Sequence, residues 1–307
     1  YPIGGGAVFA RELGRVICES GSAIRTRARV AELIIEDNTA RGVVLEDGER
    51  IAAPLVISTI GAFNTYHRLL ERVPSCGEAI AELKQLSPAY EYINLFIGLK
   101  ESPAAFGLDK GNTWITSSWN EPGDEPLWDV SDLENNPRPR VLFFSSSSLR
   151  DPDLPNRKHN GFNGQIVSAV RYGAFDSWKG SKFGKRDPEY LALKDAISER
   201  LMATLDERYP GVKDAVDYME LGTTLTYDHF CASFNGIPYG VAPVPRRYES
   251  LLLRPTTPVK KLLLCGQDLV MPGVPAAVGS ANLCCSLILR RNIGNHFAKQ
   301  GRELRGA

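Results

Sequence analysis

The chain has 307 residues, 43% hydrophobic and 23% charged, the composition of a globular protein with room for two domains or one large one. Its 36 basic residues balance 36 acidic ones, so no net field draws it to nucleic acid or to an anionic membrane. No apolar run approaches the roughly 20 residues that span a bilayer. A peripheral membrane contact through a local apolar patch stays open.

In chain order, Gly4-Gly5-Gly6 precedes Phe9, Leu13, Val16 and Ile17 at helical spacing, and Gly21 supplies a stop. From residue 23 the period changes. Residues 30–35, 42–45 and 49–51 read as short strands, punctuated by Asp37-Asn38 and Asp47-Gly48. Residues 55–58 read as a buried strand, apolar on both faces, and the chain leaves it at Gly61. Ala79, Ile80, Leu83 and Leu86 make a short helical stripe, and residues 90–99, 141–148 and 165–172 are strand candidates. Residues 149–163 are polar and loop-like. Asp187-Pro188 opens the clearest helix, an N-cap followed by Pro at the first helical position. Leu193, Ile197, Leu201 and Leu205 form its buried stripe, and Tyr209-Pro210-Gly211 ends it. Residues 275–291 form the closing helix, with Arg290 and Arg291 near its negative end.

The stretch before that helix is the most informative. Leu262-Leu263-Leu264-Cys265 is an apolar strand, Gly266-Gln267-Asp268 a turn, and Pro272-Gly273-Val274-Pro275-Ala276-Ala277 a small-residue helix start. Such a turn aims backbone N–H groups and the positive end of a helix at a crevice, where an electron-rich ring carbonyl is a natural occupant.

The six cysteines lack CxxC pairs and metal spacing, which predicts reduced core thiols in a reducing compartment, cytoplasmic or at a membrane surface. Histidines 67, 159, 229 and 296 share no spacing. Only His229, between aromatic neighbours, invites an acid–base role. The chain opens at Tyr1 without Met or signal peptide and runs straight into a helix signal, the expectation for a piece of a longer protein.

Several segments recur in a telling order. They are Tyr1-Pro2-Ile3-Gly4-Gly5 ahead of a helix, the meander carrying Val30, Asn64-Thr65-Tyr66 after Gly61, and Thr223-Thr224-Leu225-Thr226. Gly236-Ile237-Pro238-Tyr239-Gly240 and the Gly266-Gln267-Asp268 turn complete the set. In this order the chain resembles the phytoene desaturase and carotenoid isomerase superfamily of FAD-dependent oxidoreductases, and within it the all-trans-retinol 13,14-reductase (retinol saturase) branch. The resemblance implies FAD as cofactor, NAD(P) as a candidate electron source, and saturation, desaturation or isomerisation of C=C bonds in an apolar polyene. It implies an α/β fold, α+β overall. An incomplete glutathione-reductase-like FAD-binding domain would comprise residues 1–61 and 256–307, with an antiparallel-sheet substrate domain, residues 62–255, inserted.

The resemblance also assigns roles. The Val30 backbone would meet adenine, and Asp268, on the Gly266 turn, would face the ribityl or phosphate portion. Amides of Gly273, Val274 and Ala277 would approach the flavin pyrimidine edge. Gly4, Gly5 and Gly240 would border the substrate, with Tyr239, His229 or water as proton donor. Tyr92, Phe96, Trp114, Trp119, Phe143 and Phe144, among other aromatics, would line a tunnel. Residues 104–108 would be either an apolar loop at a membrane-facing mouth or a buried loop. Each assignment has a plain counterpart: Val30 as a strand residue, Asp268 as a loop cap, Tyr239-Gly240 as a turn.

One departure stands out. The family's Gly-rich phosphate loop is not in these residues: no strand precedes Gly4-Gly5-Gly6, and position 9 is Phe. The expectation is a fragment inactive alone. Two alternatives remain, an amine-oxidase-like flavoenzyme, which should need an aromatic cage or Lys near the flavin, and a flavin-free lipid-binding protein.

Overall fold

A computed structural model describes residues 1–117, 127–154, 161–295 and 303. Its helices are α1 (Ala7–Glu19), the one-turn α2 (Ala62–Asn64), α3 (Gly77–Leu83), α4 (Pro188–Arg208), α5 (Thr224–Cys231), α6 (Pro245–Glu249) and α7 (Val274–Leu289). The first strands are β1 (Val30–Glu36), β2 (Thr39–Leu45), β3 (Arg50–Ala52), β4 (Val56–Ser58) and β5 (Glu91–Leu99). The others are β6 (Thr113–Thr116), β7 (Val141–Ser145), β8 (Phe162–Val170), β9 (Val216–Gly222) and β10 (Leu262–Leu264). These elements form two compact units, Tyr1–Arg25 with Tyr90–Ile237, and Thr26–Ala89 with Pro238–Ala307. The cuts fall elsewhere than at the expected boundaries of 61 and 255: the meander goes with residues 62–89 and 238–255, and α1 with the larger sheet.

The first unit is built on a five-stranded antiparallel sheet in the order β6-β7-β8-β5-β9. Alternation along β5 explains its two faces. Ile93, Leu95, Ile97 and Leu99 are buried in a core with Leu142, Phe144 and Ile166, whereas Phe96 is exposed. Helix α4 starts where Asp187 accepts the Tyr190 amide at 2.9 Å with Pro188 behind it, and buries Ile197, Leu201 and Leu205 on that core. Leu193, the fourth member of the stripe, is only partly buried there. Phe144, expected in a tunnel, is a core residue, because odd and even positions of β7 face opposite ways. Leu108 is in the core and Phe106 packs on it, whereas Ala104, Ala105 and Gly107 are exposed, so only part of the 104–108 loop is buried. Helix α1 buries none of its residues; its apolar stripe is exposed.

The second unit contains the antiparallel meander β1-β2-β3 and the parallel pair β4–β10. Val56, Ile57 and Ser58 pair with Leu262, Leu263 and Leu264. The leucine run is buried throughout. Ile57 is 43% exposed, so β4 is not covered on both faces as its sequence suggests: among the described residues its sheet has only two strands. Cys76 and Cys284 are buried as expected, but Cys18 and Cys231 are exposed. Trp119, His159 and His296 lie outside the described residues. No helix among the described residues is long and apolar enough to cross a membrane.

Candidate functional site

In the second unit, β4 and β10 run parallel and end in glycines with left-handed φ, Gly61 at 88° and Gly266 at 118°. Between these corners lies Asp268, 2% exposed. Its Oδ2 accepts the Ala62 amide at 2.7 Å and its Oδ1 accepts the Val241 amide at 3.0 Å. Next to it, Gln267 Nε2 donates to the Pro238 carbonyl at 2.8 Å, and the Ala89 amide donates to the Gly240 carbonyl at 2.7 Å. One carboxylate thus ties the Gly266 turn to the α2 corner and to the 238–241 loop. Ser280, fully buried on α7, accepts the Gly266 amide at 2.9 Å while its hydroxyl donates to the Ala277 carbonyl at 2.7 Å. That sets the closing helix against the same turn.

Arg247 completes the assembly. It is 2% exposed, and its two terminal nitrogens donate to the Val241 and Gln267 carbonyls, the latter at 2.6 Å. Burial pulls its pKa down, and the nearby Asp268 charge opposes that fall. Neither Arg247 nor Ser280 stands out in the sequence. Arg247 sits in a Pro-Arg-Arg run that looks like a solvated surface, and a lone Ser in a helix carries no pattern.

The structure relocates several expected residues. Asp268 was expected to face a ribityl or phosphate group; its two oxygens point instead at backbone amides inside the fold. Gly240, expected beside the substrate, has φ 62°, and a Cβ there would collide with the Asp268 carboxylate, 2.9 Å from Cγ and 3.0 Å from Oδ2. Its missing side chain is therefore explained by the clasp. Tyr239 is half-exposed on the loop that the clasp holds. Val30 begins β1 opposite Leu45, beside a bulge, with its side chain exposed.

Helix α7 starts at Gly273, whose φ is 113°, with no side-chain cap. Val274 is exposed, and Pro275 has no N–H. The first-turn amides of a helix have no intrahelical acceptor. Ala277 falls one residue too far, because its amide already donates to the Gly273 carbonyl at 3.0 Å. The amides left without an intrahelical acceptor are those of Gly273, Val274 and Ala276. This uncapped, electropositive end suits the carbonyl edge of a flavin ring.

The remaining expected residues lie in the first unit. The Gly4 amide donates to Asp151 Oδ2 at 2.7 Å, and Gly4 and Gly5 take left-handed φ values of 98° and 78°. His229 is exposed on α5, its ring stacked on Phe183 at 4.4 Å with an interplanar angle of 1°. It belongs to a surface aromatic cluster with Phe230, 4.7 Å away edge-on, rather than to an acid–base pair. The sheet face opposite the core carries the aromatics that alternation leaves outside. Trp114, Phe143, Val167, Asn94 and Gly222 stand in one cross-strand row. Trp114 is 66% exposed and meets Phe143 edge-on at 4.8 Å. A cavity of about 560 Å³ opens over this face between Asn94, Phe96, Tyr218 and Phe230.

No protein-family model matches the chain. Among curated proteins, it is 32% identical over 307 aligned residues to the all-trans-retinol 13,14-reductase of Danio rerio, covering 95% of this chain and 50% of that one. It is 27% identical to the Rattus norvegicus protein of the same name, over 99% of this chain and 52% of that one. The chloroplastic prolycopene isomerase of Arabidopsis thaliana is 26% identical over 96% of this chain and 46% of its own. The chain spans about half the length of the curated relatives it matches. Among solved structures, an oxidoreductase from Methanosarcina mazei superposes with a TM-score of 0.57 at 16% identity, covering 90% of this chain and 52% of that one. A putrescine oxidase redesigned in cofactor binding gives 0.52 at 14% identity, covering 92% and 51%. These two show the fold alone. The homologues are retinol reductases and prolycopene isomerases, so the resemblance to the phytoene desaturase and carotenoid isomerase superfamily is borne out.

Proposed function

We propose that this chain is part of an FAD-dependent oxidoreductase acting on C=C bonds of a polyisoprenoid, by saturation, desaturation or isomerisation. The observation that carries the reading is the uncapped start of α7, pinned through Ser280 and Asp268 to the end of a parallel strand pair. The Gly273, Val274 and Ala276 amides would hold the carbonyl edge of the ring, where negative charge gathers on reduction. When bound, FAD supplies hydride exchange with the polyene carbon, and NAD(P)H is the proposed reductant for a saturating member. The chain's own work is binding and exclusion of water. Asp268 and Arg247 position the 238–241 loop, and the Trp114–Phe143 sheet face offers an apolar platform for the hydrocarbon. Saturation also needs a proton. Tyr239, half-exposed on the clasped loop, is the proposed donor in preference to His229, whose ring is engaged with Phe183.

The test is expression from the natural gene, a visible absorption spectrum, and anaerobic incubation with all-trans-retinol or prolycopene plus a chemical reductant. A flavin spectrum and a dihydro or isomerised product by chromatography are expected. A colourless protein would refute the cofactor. A flavoprotein that leaves both polyenes and other isoprenoids unchanged would refute the substrate class.

A further inference from the structure

The open face of the first unit's sheet holds an imbalance that its architecture does not explain. Asn94 lies mid-row between Val167 and Gly222, and its Oδ1 is buried with no hydrogen-bond partner among the described residues. An unpaired buried amide oxygen is destabilising, a cost that a ligand's hydroxyl would remove. Asn94 borders the cavity of about 560 Å³, within the roughly 300–1,000 Å³ of small-molecule sites. The cavity floor follows two paired strands: Asn94 opposite Gly222, Phe96 opposite Glu220, Gly98 opposite Tyr218. The four residue steps from Asn94 to Gly98 make that floor about 13 Å long, an elongated rather than compact shape.

The charged groups at this cavity have partners. Lys194 Nζ is 2.6 Å from Glu220 Oε1. The Arg186 guanidinium lies over the Tyr190 ring at 4.9 Å, and its Nε donates to Ser181 Oγ at 3.0 Å. Aromatic rings supply much of the remaining wall, and Cys231 stands exposed at its edge. An apolar, elongated cleft with one unsatisfied amide matches a hydrocarbon chain bearing one neutral polar group. A hydroxyl fits either amide orientation, because it can donate to Oδ1 or accept from Nδ2. A plain hydrocarbon would leave Oδ1 unpaired, and a carboxylate would place two acceptors against an acceptor.

We infer that Asn94 is the specificity residue of this chain's substrate cleft, selecting an isoprenoid alcohol over the corresponding hydrocarbon by hydrogen bonding its hydroxyl. The inference rests on the polyisoprenoid reading above and adds to it the identity of the polar contact. Its test needs no flavin, so it can fail without that reading failing, and the reverse.

The purified chain is titrated with geranylgeraniol, with its deoxygenated hydrocarbon, and with geranylgeranic acid, following quenching of tryptophan fluorescence. Saturable binding is expected, with the alcohol favoured over hydrocarbon and acid. Asn94→Leu is expected to weaken the alcohol about tenfold and leave the hydrocarbon undiminished. Equal weakening of both, no weakening of the alcohol, or tightest binding by the acid would overturn the assignment, the last by moving the contact to Arg186. A measurement on the unsubstituted chain guards against a variant that fails to fold. Geranylgeraniol should slow alkylation of Cys231 by N-ethylmaleimide without slowing that of Cys18, which is exposed on α1. Equal protection of both thiols, or of neither, would place the alcohol elsewhere and sink the proposal.

Discussion

Replacing Gly240 by Ala isolates what the Asp268 clasp contributes. Gly240 and Gly48 belong to the same unit and share a left-handed backbone, φ 62° and 87°. Either alanine therefore costs about 1–2 kcal/mol for its conformation alone. At Gly48 the added methyl meets nothing within 4 Å, whereas at Gly240 it would collide with the carboxylate that receives the Val241 amide. Displacing Oδ1 forfeits a hydrogen bond to a charged group, worth about 1.5–3 kcal/mol. The expected excess for Gly240→Ala over Gly48→Ala is thus about 2 kcal/mol. With a urea slope of about 2 kcal/mol per M, the unfolding midpoints should differ by about 1 M. Circular dichroism during urea titration reads both variants directly. Midpoints that coincide would show that Asp268 does not hold the 238–241 loop, and the clasp would have to be abandoned.

Three further outcomes follow from the same structure. Arg247→Met removes the donor to two buried carbonyls, so a loss of about 2–5 kcal/mol is expected in urea unfolding; a loss under 1 kcal/mol would mean that the guanidinium is dispensable. Glu91 is buried, accepts the Gly173 amide at 3.3 Å, and burial raises its pKa. Its neutral form therefore contributes stability that is complete below the unfolded carboxyl value of about 4.3 and lost as pH rises through the raised folded value. Glu91→Gln should match the parent Tm in acid and exceed it at neutral pH, and a gap independent of pH would contradict the assignment. Val274→Asp puts a negative charge on the exposed first turn of α7, favourable to the helix by about 0.5 kcal/mol and adverse to a ring that turns anionic on reduction. Unchanged or raised Tm with several-fold lower flavin content is expected in protein from the natural gene; undiminished flavin would remove this helix end from the cofactor site.

Much of the fold was legible because local chemistry and tertiary structure agree. Asp187-Pro188 marks a helix start that the Tyr190 amide bond realises, and β10 coincides with an unbroken leucine run. What escaped were elements whose period is masked by an edge position or by short length. Strand β9 has four consecutive exposed residues, Asp217 to Glu220, because it closes one side of the sheet and lines the cleft. Its sequence, Val216-Asp217-Tyr218-Met219-Glu220, offers no clean alternation. Strand β6, at the opposite edge, is only four residues long and half-exposed. Helix α5 is capped reciprocally by Thr223 and Thr226, but an eight-residue helix of threonines and aromatics has weak propensity and no apolar stripe.

The candidate site was legible in its parts but not in the partners that hold them, for a reason that is physical. Glycine and aspartate at a strand end signal a special backbone, and the family resemblance assigns such residues to a ligand. A buried carboxylate, however, must satisfy its oxygens before it can serve anything else, and long-range partners such as the Ala62 and Val241 amides cannot be read from sequence spacing. Asp268 meets one of them 206 residues away. The same requirement explains Arg247, which is buried only because the carbonyls of Val241 and Gln267 receive it. In the function proposed above, these two charges position Tyr239 on one side and the α7 amides on the other. A substitution at Asp268 would therefore lower flavin content by loosening the frame. It should do so together with a fall in stability, whereas a residue contacting the ring would separate the two effects as Val274→Asp is expected to.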